Sequence, residues 1–442
     1  MRTFSILISV LTLAACGGGG GGGANTANLG TCSNSDQKRF VRDVAEDWYL
    51  WNDLLPDNIR IGDYDSPEEL LADVVTYSPD DGTGNPIDKF SFIGSAAADS
   101  QFFGEGRFEG FGFSSEFVAA DDLRLLRVFS GSPADTGGLA RGQRILELDG
   151  RSIADIQAAE GVNEVFANNQ TLQFTMEEPG GNQFGALISK AVVTIDPVPQ
   201  SRIIPANDGS GRMVGYFELA TFVSTADAQM DAVFAEFRDN NITDVIIDLR
   251  YNGGGLVRVA ETLGNFLGGD VAENLVFTST EFNADRAPDN NVSAFFSRLG
   301  NSINLSRLVI IATPRTASAS ELVINGMEPH VDVTIVGDRT FGKPIGQLGF
   351  EFCEQILRIT GFQTVNADGD GDYFNGLPAD CPAPDDISIP VGDDADPNII
   401  AAMSYLDNNA CPVTLNAFEP TTFEKVAPDL SGPPWREYLD AY

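Results

Sequence analysis

Three apolar runs constrain the fold more than any other feature of the chain. Asp244-Val245-Ile246-Ile247-Asp248-Leu249, Leu308-Val309-Ile310-Ile311-Ala312 and Val333-Thr334-Ile335-Val336 are strand-like without regular polar alternation. A strand with one wet face alternates with period two. A strand buried on both faces does not, and such strands belong to parallel sheets covered by helices. Met230, Val233, Phe234 and Phe237 add a helical stripe at i, i+3, i+4 and i+7. With a further strand at Met213–Leu219, residues 200–442 read as an α/β domain.

Two other textures precede it. Residues 35–54 read as a helix with Phe40, Val41, Val44, Trp48 and Trp51 on one face. A second helix opens at Ser66-Pro67-Glu68-Glu69, a capping box with proline at the first helical position. Residues 30–105 therefore read as a small helical N-terminal domain. From 106 to 199 short strands dominate: 123–128, 144–150, 172–176 and 191–195. Gly131-Ser132-Pro133-Ala134 reads as a turn into a helix. The expectation is a multidomain α/β + β protein.

The net charge of −37 over 442 residues excludes nucleic acid and anionic membrane surfaces as partners, because both are polyanions. Residues 1–15 read as a signal segment: Arg2 is its positive end, and Phe4 to Leu13 form an apolar run too short to span a bilayer. Leu13-Ala14-Ala15-Cys16 resembles a bacterial lipobox, with Cys16 as the lipidated residue; a plain secretory signal is the alternative. Residues 16–29, with the run Gly17–Gly23, read as a tether. These features predict an exported lipoprotein on the periplasmic side of the envelope, touching membrane only through Cys16. Cys32, Cys353, Cys381 and Cys411 remain, and export permits disulfides. Four cysteines allow three pairings; Cys353 with Cys381 would bracket an Asp-rich stretch. No C-x-x-C occurs and His330 is the only histidine, so no metal or cofactor is called for.

The candidate chemistry lies at two strand ends. Thr316-Ala317-Ser318-Ala319-Ser320-Glu321 follows the strand 308–312 and precedes a predicted helix over 320–327. Thr340-Phe341-Gly342-Lys343 follows the strand 333–336. Ligands in open α/β sheets gather at such edges. A serine needs a base to take its proton, and a Ser-Lys dyad needs no histidine. The lysine must then be neutral, whereas a free lysine titrates at about 10.4. An apolar pocket with no carboxylate nearby is the expected means, and activity should rise towards alkaline pH. Gly253-Gly254-Gly255 follows the strand 244–249, where backbone N–H groups can face a substrate oxygen. Gly110-Phe111-Gly112-Phe113 offers amides to a peptide carboxylate, with the peptide added as a strand.

Together these motifs resemble the C-terminal (tail-specific) processing serine peptidase family. The match runs over roughly residues 35–400 and rests on Asp248-Leu249-Arg250-x-Asn252-x-Gly254-Gly255, the Thr-Ala-Ser-Ala-Ser-Glu run, Thr340-Phe341-Gly342-Lys343 and Gln347. Residues 110–113, 131–134 and 144–150 resemble that family's PDZ domain, and Asp88-Lys89-Phe90-Ser91-Phe92 the segment leading into it. The resemblance implies Ser318 as nucleophile, Lys343 as general base and Gln347 as its positioner. It implies the amides of Gly254 and Ala319 as an oxyanion hole, and Gly110, Phe111, Gly112 and Phe113 as the peptide-binding loop. Substrates would be unstructured or damaged proteins with apolar C-termini. The chain departs from the usual Gly-Lys-Gly at Pro344, which keeps open a catalytically silent peptide-binding protein on the same scaffold.

Three other signals read as structural. His330 is expected to point away from Ser318. Ser35-Asp36-Gln37-Lys38 lacks a Lys-Thr-Gly partner, so Ser35 reads as a helix N-cap. Asn366–Asp372 begins like a calcium loop, but Leu377 stands where a glutamate is needed, so a solvated loop is the reading.

Overall fold

A computed structural model describes residues 31–412 and Tyr442. The signal segment, Cys16 and the tether lie outside the described residues.

The central sheet has six strands in the order Ser201–Pro205, Met213–Glu218, Asp244–Asp248, Arg307–Ala312, Asp332–Gly337 and Cys381–Pro382. The first pair is antiparallel and every later pair parallel. The missing alternation is explained by the two faces. Val245, Ile247, Leu308 and Ile310 pack under helices Ala226–Asp239, Val257–Gly268 and Ala319–Met327. Ile246, Val309 and Ile311 pack under helix Pro397–Asn408. Because the strands are parallel, the turns after Asp248, Ala312 and Gly337 leave from one edge.

A second, antiparallel sheet joins Phe92–Ser95, Gln355–Val365, Val276–Phe282 and Val292–Phe295, with Ile345–Phe352 also paired to Gln355–Val365. Helices Asn34–Trp48 and Pro67–Val74 lay Phe40, Val41, Leu70 and Leu71 on Phe350, Phe352, Leu357 and Ile359 of this sheet. The N-terminal helices thus complete their core with strands that follow Lys343. A disulfide between Cys32 and Cys353 fastens the two, with Cα atoms 5.7 Å apart.

The middle unit is an antiparallel sheet of Phe113–Ala119, Asp122–Val128, Arg144–Leu148, Thr171–Glu177 and Gln183–Ser189, with helices Ile153–Ala159 and Val162–Asn168 closing its core. A ribbon of Arg107–Gly110 and Ala191–Thr194 forms its base. Arg127 reaches Glu218 at 2.6 Å, and Arg141 reaches the Tyr251 hydroxyl at 2.8 Å and Asp385 at 2.7 Å, joining this unit to the edge of the central sheet.

Several expectations need correction. The first helix is capped by Ser33, whose hydroxyl accepts the Asp36 N–H, and not by Ser35; it ends at Trp48, and Asn52–Leu54 is a separate 3₁₀ turn. Cys353 does not pair with Cys381: the second disulfide is Cys381–Cys411, Cα atoms 5.3 Å apart. Strands Phe113–Ala119 and Gln183–Ser189 were not expected, because paired serines and an internal glycine hide their alternation.

Replacing Cys32 and Cys353 together by serine is expected to lower the unfolding free energy by about 2–4 kcal/mol. Denaturant unfolding of the double variant without reductant measures this, and an unchanged midpoint would contradict it.

Candidate active site

The helix Ala319–Met327 is buried along its whole length, and Ser318 at its mouth is half-exposed. Ser318 has φ 55° and ψ −116°, a backbone region that a non-glycine residue occupies only when its surroundings hold it there. Those surroundings are specific. The Thr316 hydroxyl donates to the Leu249 carbonyl at 2.8 Å, and the Ala317 N–H to the Asn252 carbonyl at 3.1 Å. The Ser320 hydroxyl donates to that same Asn252 carbonyl at 2.9 Å.

Glu321, fully buried, draws the site together. One carboxylate oxygen accepts the Ser318 N–H at 3.0 Å and the Lys343 N–H at 2.8 Å. The other accepts the Thr340 hydroxyl and the Gly342 N–H, both at 2.6 Å. Burial pushes the Glu321 carboxyl above its ordinary value, and these hydrogen bonds, led by Thr340, oppose the rise. Four donors on two oxygens suit the ionised form. The turns bearing Ser318 and Lys343 are therefore pinned to one group. Glu321 bonds the main chain of Lys343 through its N–H, whereas the lysine amine faces Gln347 and Phe90.

Lys343 is 3% exposed. Its Nζ lies 3.3 Å from Gln347 Oε1 and 4.3 Å from the centre of the Phe90 ring. Gln347 Nε2 donates to the Phe90 carbonyl, so one glutamine grips both lysine and ring residue. Phe90 is held in turn by Asp88, 1% exposed. Asp88 accepts the N–H groups of Phe90 and Ser91 at 3.0 and 3.1 Å, and the hydroxyls of Ser91 and Thr360 at 2.6 and 3.0 Å. Gly342 must be glycine: its φ is 92°, and a Cβ would stand 2.5 Å from Phe374 O. Pro344 opens the following strand, its carbonyl accepting the Thr364 N–H at 2.9 Å.

Gly254 lies against the serine, where a Cβ would be 2.8 Å from Ser318 Cβ and from Ala319 N. Its N–H is engaged, donating to Asn252 Oδ1 at 2.9 Å. The N–H groups of Gly255 and Ala319 have no acceptor among the described residues. Phe111 and Phe113 turn their rings into the middle unit's core, leaving main-chain groups of their loop for partners; Tyr442 contacts that loop. His330 stands at the far end of the helix from Ser318, with Nε2 2.8 Å from the Val276 carbonyl and its ring on Phe296. Asn366 folds the acidic loop on itself by accepting the N–H groups of Asp368 and Asp370. No group of three or more His, Cys, Asp or Glu is arranged to hold a metal among the described residues.

The profile of peptidase family S41 matches residues 213–382, and that of the peptidase S41 N-terminal domain matches residues 36–92. The chain belongs to peptidase family S41. It is 28% identical over 249 residues to carboxyl-terminal-processing peptidase 3, chloroplastic, of Arabidopsis thaliana, covering 54% of this chain and 46% of that protein. It is 21% identical over 273 residues to the carboxy-terminal processing protease CtpA of Bacillus subtilis (strain 168), covering 61% and 55%. The chain spans about half the length of the curated relatives it matches. Two solved structures share the fold. A Bacteroides fragilis NCTC 9343 protein with a provisional S41 protease assignment superposes with a TM-score of 0.64 at 21% identity, over 84% of this chain and 97% of its own. The photosystem II D1 C-terminal processing protease gives 0.53 at 19%, over 83% and 100%.

Glu321, Asp88 and Asn252 carry no role in the sequence reading. Glu321 was findable: Ser318-x-x-Glu321 has capping-box spacing, the signal that marked Ser66. Asp88 and Phe90 lie in the 88–92 segment, but nothing in sequence places that segment beside Lys343.

Glu321→Gln puts an amide where a carboxylate accepts four donors, so two donors meet an NH₂ group. The change is expected to cost about 2–3 kcal/mol of stability, read by thermal unfolding, whereas Glu328→Gln on the exposed end of the same helix should be near neutral.

Proposed function

We propose that this S41 peptidase is an exported serine endopeptidase that captures apolar C-terminal tails and cuts peptide bonds with a Ser318–Lys343 dyad. The observation that carries the reading is the shared Glu321 oxygen, which holds the main chains of both residues at one sheet edge. The dry pocket of Gln347 and Phe90 around the amine supports Lys343 as base. In the reaction, the neutral Lys343 amine takes the Ser318 Oγ proton as Oγ bonds to the scissile carbonyl carbon. The carbonyl oxygen becomes an oxyanion. Collapse expels the amine half of the substrate, which takes the proton from Lys343. Water then attacks the acyl-enzyme carbonyl with Lys343 again as base, the ester C–O bond breaks, Ser318 Oγ takes the proton back from Lys343, and the acid half of the substrate leaves. Ala319 N–H is one oxyanion donor. Gly254 supplies the second once its N–H leaves Asn252; Gly255 N–H, next along the turn, is already unspent.

The middle unit is read as a PDZ-like domain whose Gly110–Phe113 loop receives the tail. Unstructured or damaged proteins with apolar C-termini are the substrate class. Two disulfides suit an oxidising compartment, and no helix of the described residues is long and apolar enough to cross a membrane. The disulfides agree with export; lipidation at Cys16 rests on the Leu13-Ala14-Ala15-Cys16 sequence alone. The silent-protein alternative rested on Pro344, yet the proline sits at the entry of its strand with Lys343 still turned to Gln347 and Phe90.

Hydrolysis of an unstructured protein with an apolar tail is expected to fall at least about 10³-fold in Ser318→Ala and in Lys343→Ala. Turnover by Ser318→Ala at the wild-type rate would end the serine reading, and no turnover by wild type would favour the silent protein.

A further inference from the structure

Thr360, fully buried, sits where the second sheet is interrupted on both sides. On one edge of its strand Gln355–Val365, the pairing with Phe92–Ser95 ends at Phe92 opposite Arg358, and the pairing with Val276–Phe282 begins at Phe282 opposite Phe362. Among the described residues, 359–361 have no strand beside them on that edge. The N-terminal segment fills the gap. The Thr360 N–H donates to Ser91 Oγ at 2.9 Å, its carbonyl accepts the Leu50 N–H at 3.0 Å, and its hydroxyl donates to Asp88 Oδ1 at 3.0 Å. On the other edge the ladder with Ile345–Phe352 slips by one residue. Gln347 is opposite Thr360 and Gly346 is opposite Phe362, so Gly361 is the extra residue of a β-bulge. Leu348 and Trp48 close over it: a Cβ on Gly361 would stand 2.5 Å from Leu348 Cδ1 and 3.4 Å from the Trp48 carbonyl oxygen. Bulges bend a ladder and re-aim side chains, and they concentrate beside active sites. This one falls between Gln347 and the turn that carries Lys343.

We infer that Thr360 is a positioning residue for Lys343, its hydroxyl setting the spacing between the two walls of the lysine pocket. The inference rests on the reading of Lys343 as general base and adds to it a residue that acts through others. One wall is Gln347, directly across the ladder from Thr360; residues so paired have Cβ atoms about 5 Å apart. The other wall is Phe90, whose turn is folded on the Asp88 carboxylate. Thr360 meets both: its main chain is fixed opposite Gln347, and its hydroxyl holds Asp88. Gln347 Nε2 then closes the circuit by donating to the Phe90 carbonyl. In an unbroken sheet the Thr360 N–H and carbonyl would be spent on a neighbouring strand, and the 88–91 turn would have no edge to enter. Asp88, 1% exposed, accepts four hydrogen bonds. Without the Thr360 donor a buried carboxylate is left short of a partner, and turning it to find one turns the Phe90 segment with it. Misplacing a catalytic group by about 1 Å costs about 10²-fold in rate, so a displacement of half that reads as about tenfold.

The test uses the full chain and steady-state hydrolysis of an unstructured protein with an apolar tail. Thr360→Val keeps the β-branched shape and loses the donor; its kcat is expected to fall about tenfold with KM within about twofold of wild type. Thr360→Ala removes the donor without adding a methyl group beside Asp88 and is expected to show the same split. Thr360→Ser keeps the hydroxyl and should retain kcat within about threefold. Thr278→Val is the control for loosening alone. Thr278, 2% exposed on the neighbouring strand, donates its hydroxyl to the Val365 carbonyl at 3.1 Å, and its loss should lower the melting temperature without lowering kcat. Wild-type kcat in both Thr360→Val and Thr360→Ala, a change in KM alone, an equal fall in Thr360→Ser, or an equal fall in Thr278→Val overturns the positioning inference, and the dyad reading stands so long as Lys343→Ala is inactive. Turnover by Lys343→Ala at the wild-type rate brings down the dyad reading instead, and with it the base that Thr360 is held to position.

Discussion

A carboxylate removed from water organises this molecule's candidate chemistry. Taking Glu321 into the protein costs several kcal/mol before anything compensates. Compensation comes from four hydrogen bonds and from its place in the first turn of Ala319–Met327, where the helix dipole favours negative charge. Each donor comes from a segment that has to be placed. The Ser318 N–H fixes the strained serine turn; the Thr340 hydroxyl and the Gly342 and Lys343 amides fix the lysine turn. Because a buried carboxylate tolerates no missing partner, the two turns are set relative to each other more tightly than packing between loops would achieve. The positive φ of Ser318 persists because these bonds outweigh its strain.

The parallel sheet makes that arrangement possible. Its strand ends deliver residues 249–255, 313–318 and 338–343 to one edge, and Asn252 then joins the first two by accepting from Ala317 and Ser320. Arg250, 1% exposed, performs the same service on the other side of the turn. It pairs with Asp248 at 2.6 Å, Asp396 at 2.5 Å and Asp385 at 3.1 Å, and so ties the turn to the segment before helix Pro397–Asn408. A lone arginine at that depth would be costly; three carboxylates make it a fastening.

Much of this was legible in the sequence, and the pattern of success follows range. The unbroken apolar strands announced the parallel sheet because a strand covered on both faces leaves that mark locally. Ser318, Lys343 and Gln347 were named by motif as candidates; the structure hydrogen-bonds the main chains of the first two to Glu321 and brings the second two into contact. What escaped depended on contacts between distant segments. Phe90 under Lys343, the N-terminal helices on Phe350 and Leu357, and the pairing Cys32–Cys353 join residues more than 200 positions apart. Ser35 lost the cap position to Ser33 because two serines two residues apart offer alternative caps, and helix ends are the least certain part of a sequence reading. The resemblance implied Gly254 as an oxyanion donor; that its N–H is taken by Asn252 is a side-chain contact no glycine pattern encodes.

The N-terminal segment has a consequence that domain boundaries obscure. Residues 36–92 match as a unit of their own, yet the last residues of that stretch form a wall of the lysine pocket. Asp88 folds the turn, the turn aims the Phe90 ring and carbonyl, and Gln347 links that carbonyl to the lysine. Asp88 also takes the Thr360 hydroxyl, from the strand paired with the one that carries Gln347. The lysine's surroundings are therefore assembled only when the helical segment has docked on the sheet of residues 345–365. A partly folded chain with its N-terminal helices undocked leaves Lys343 without its ring and Gln347 without its acceptor.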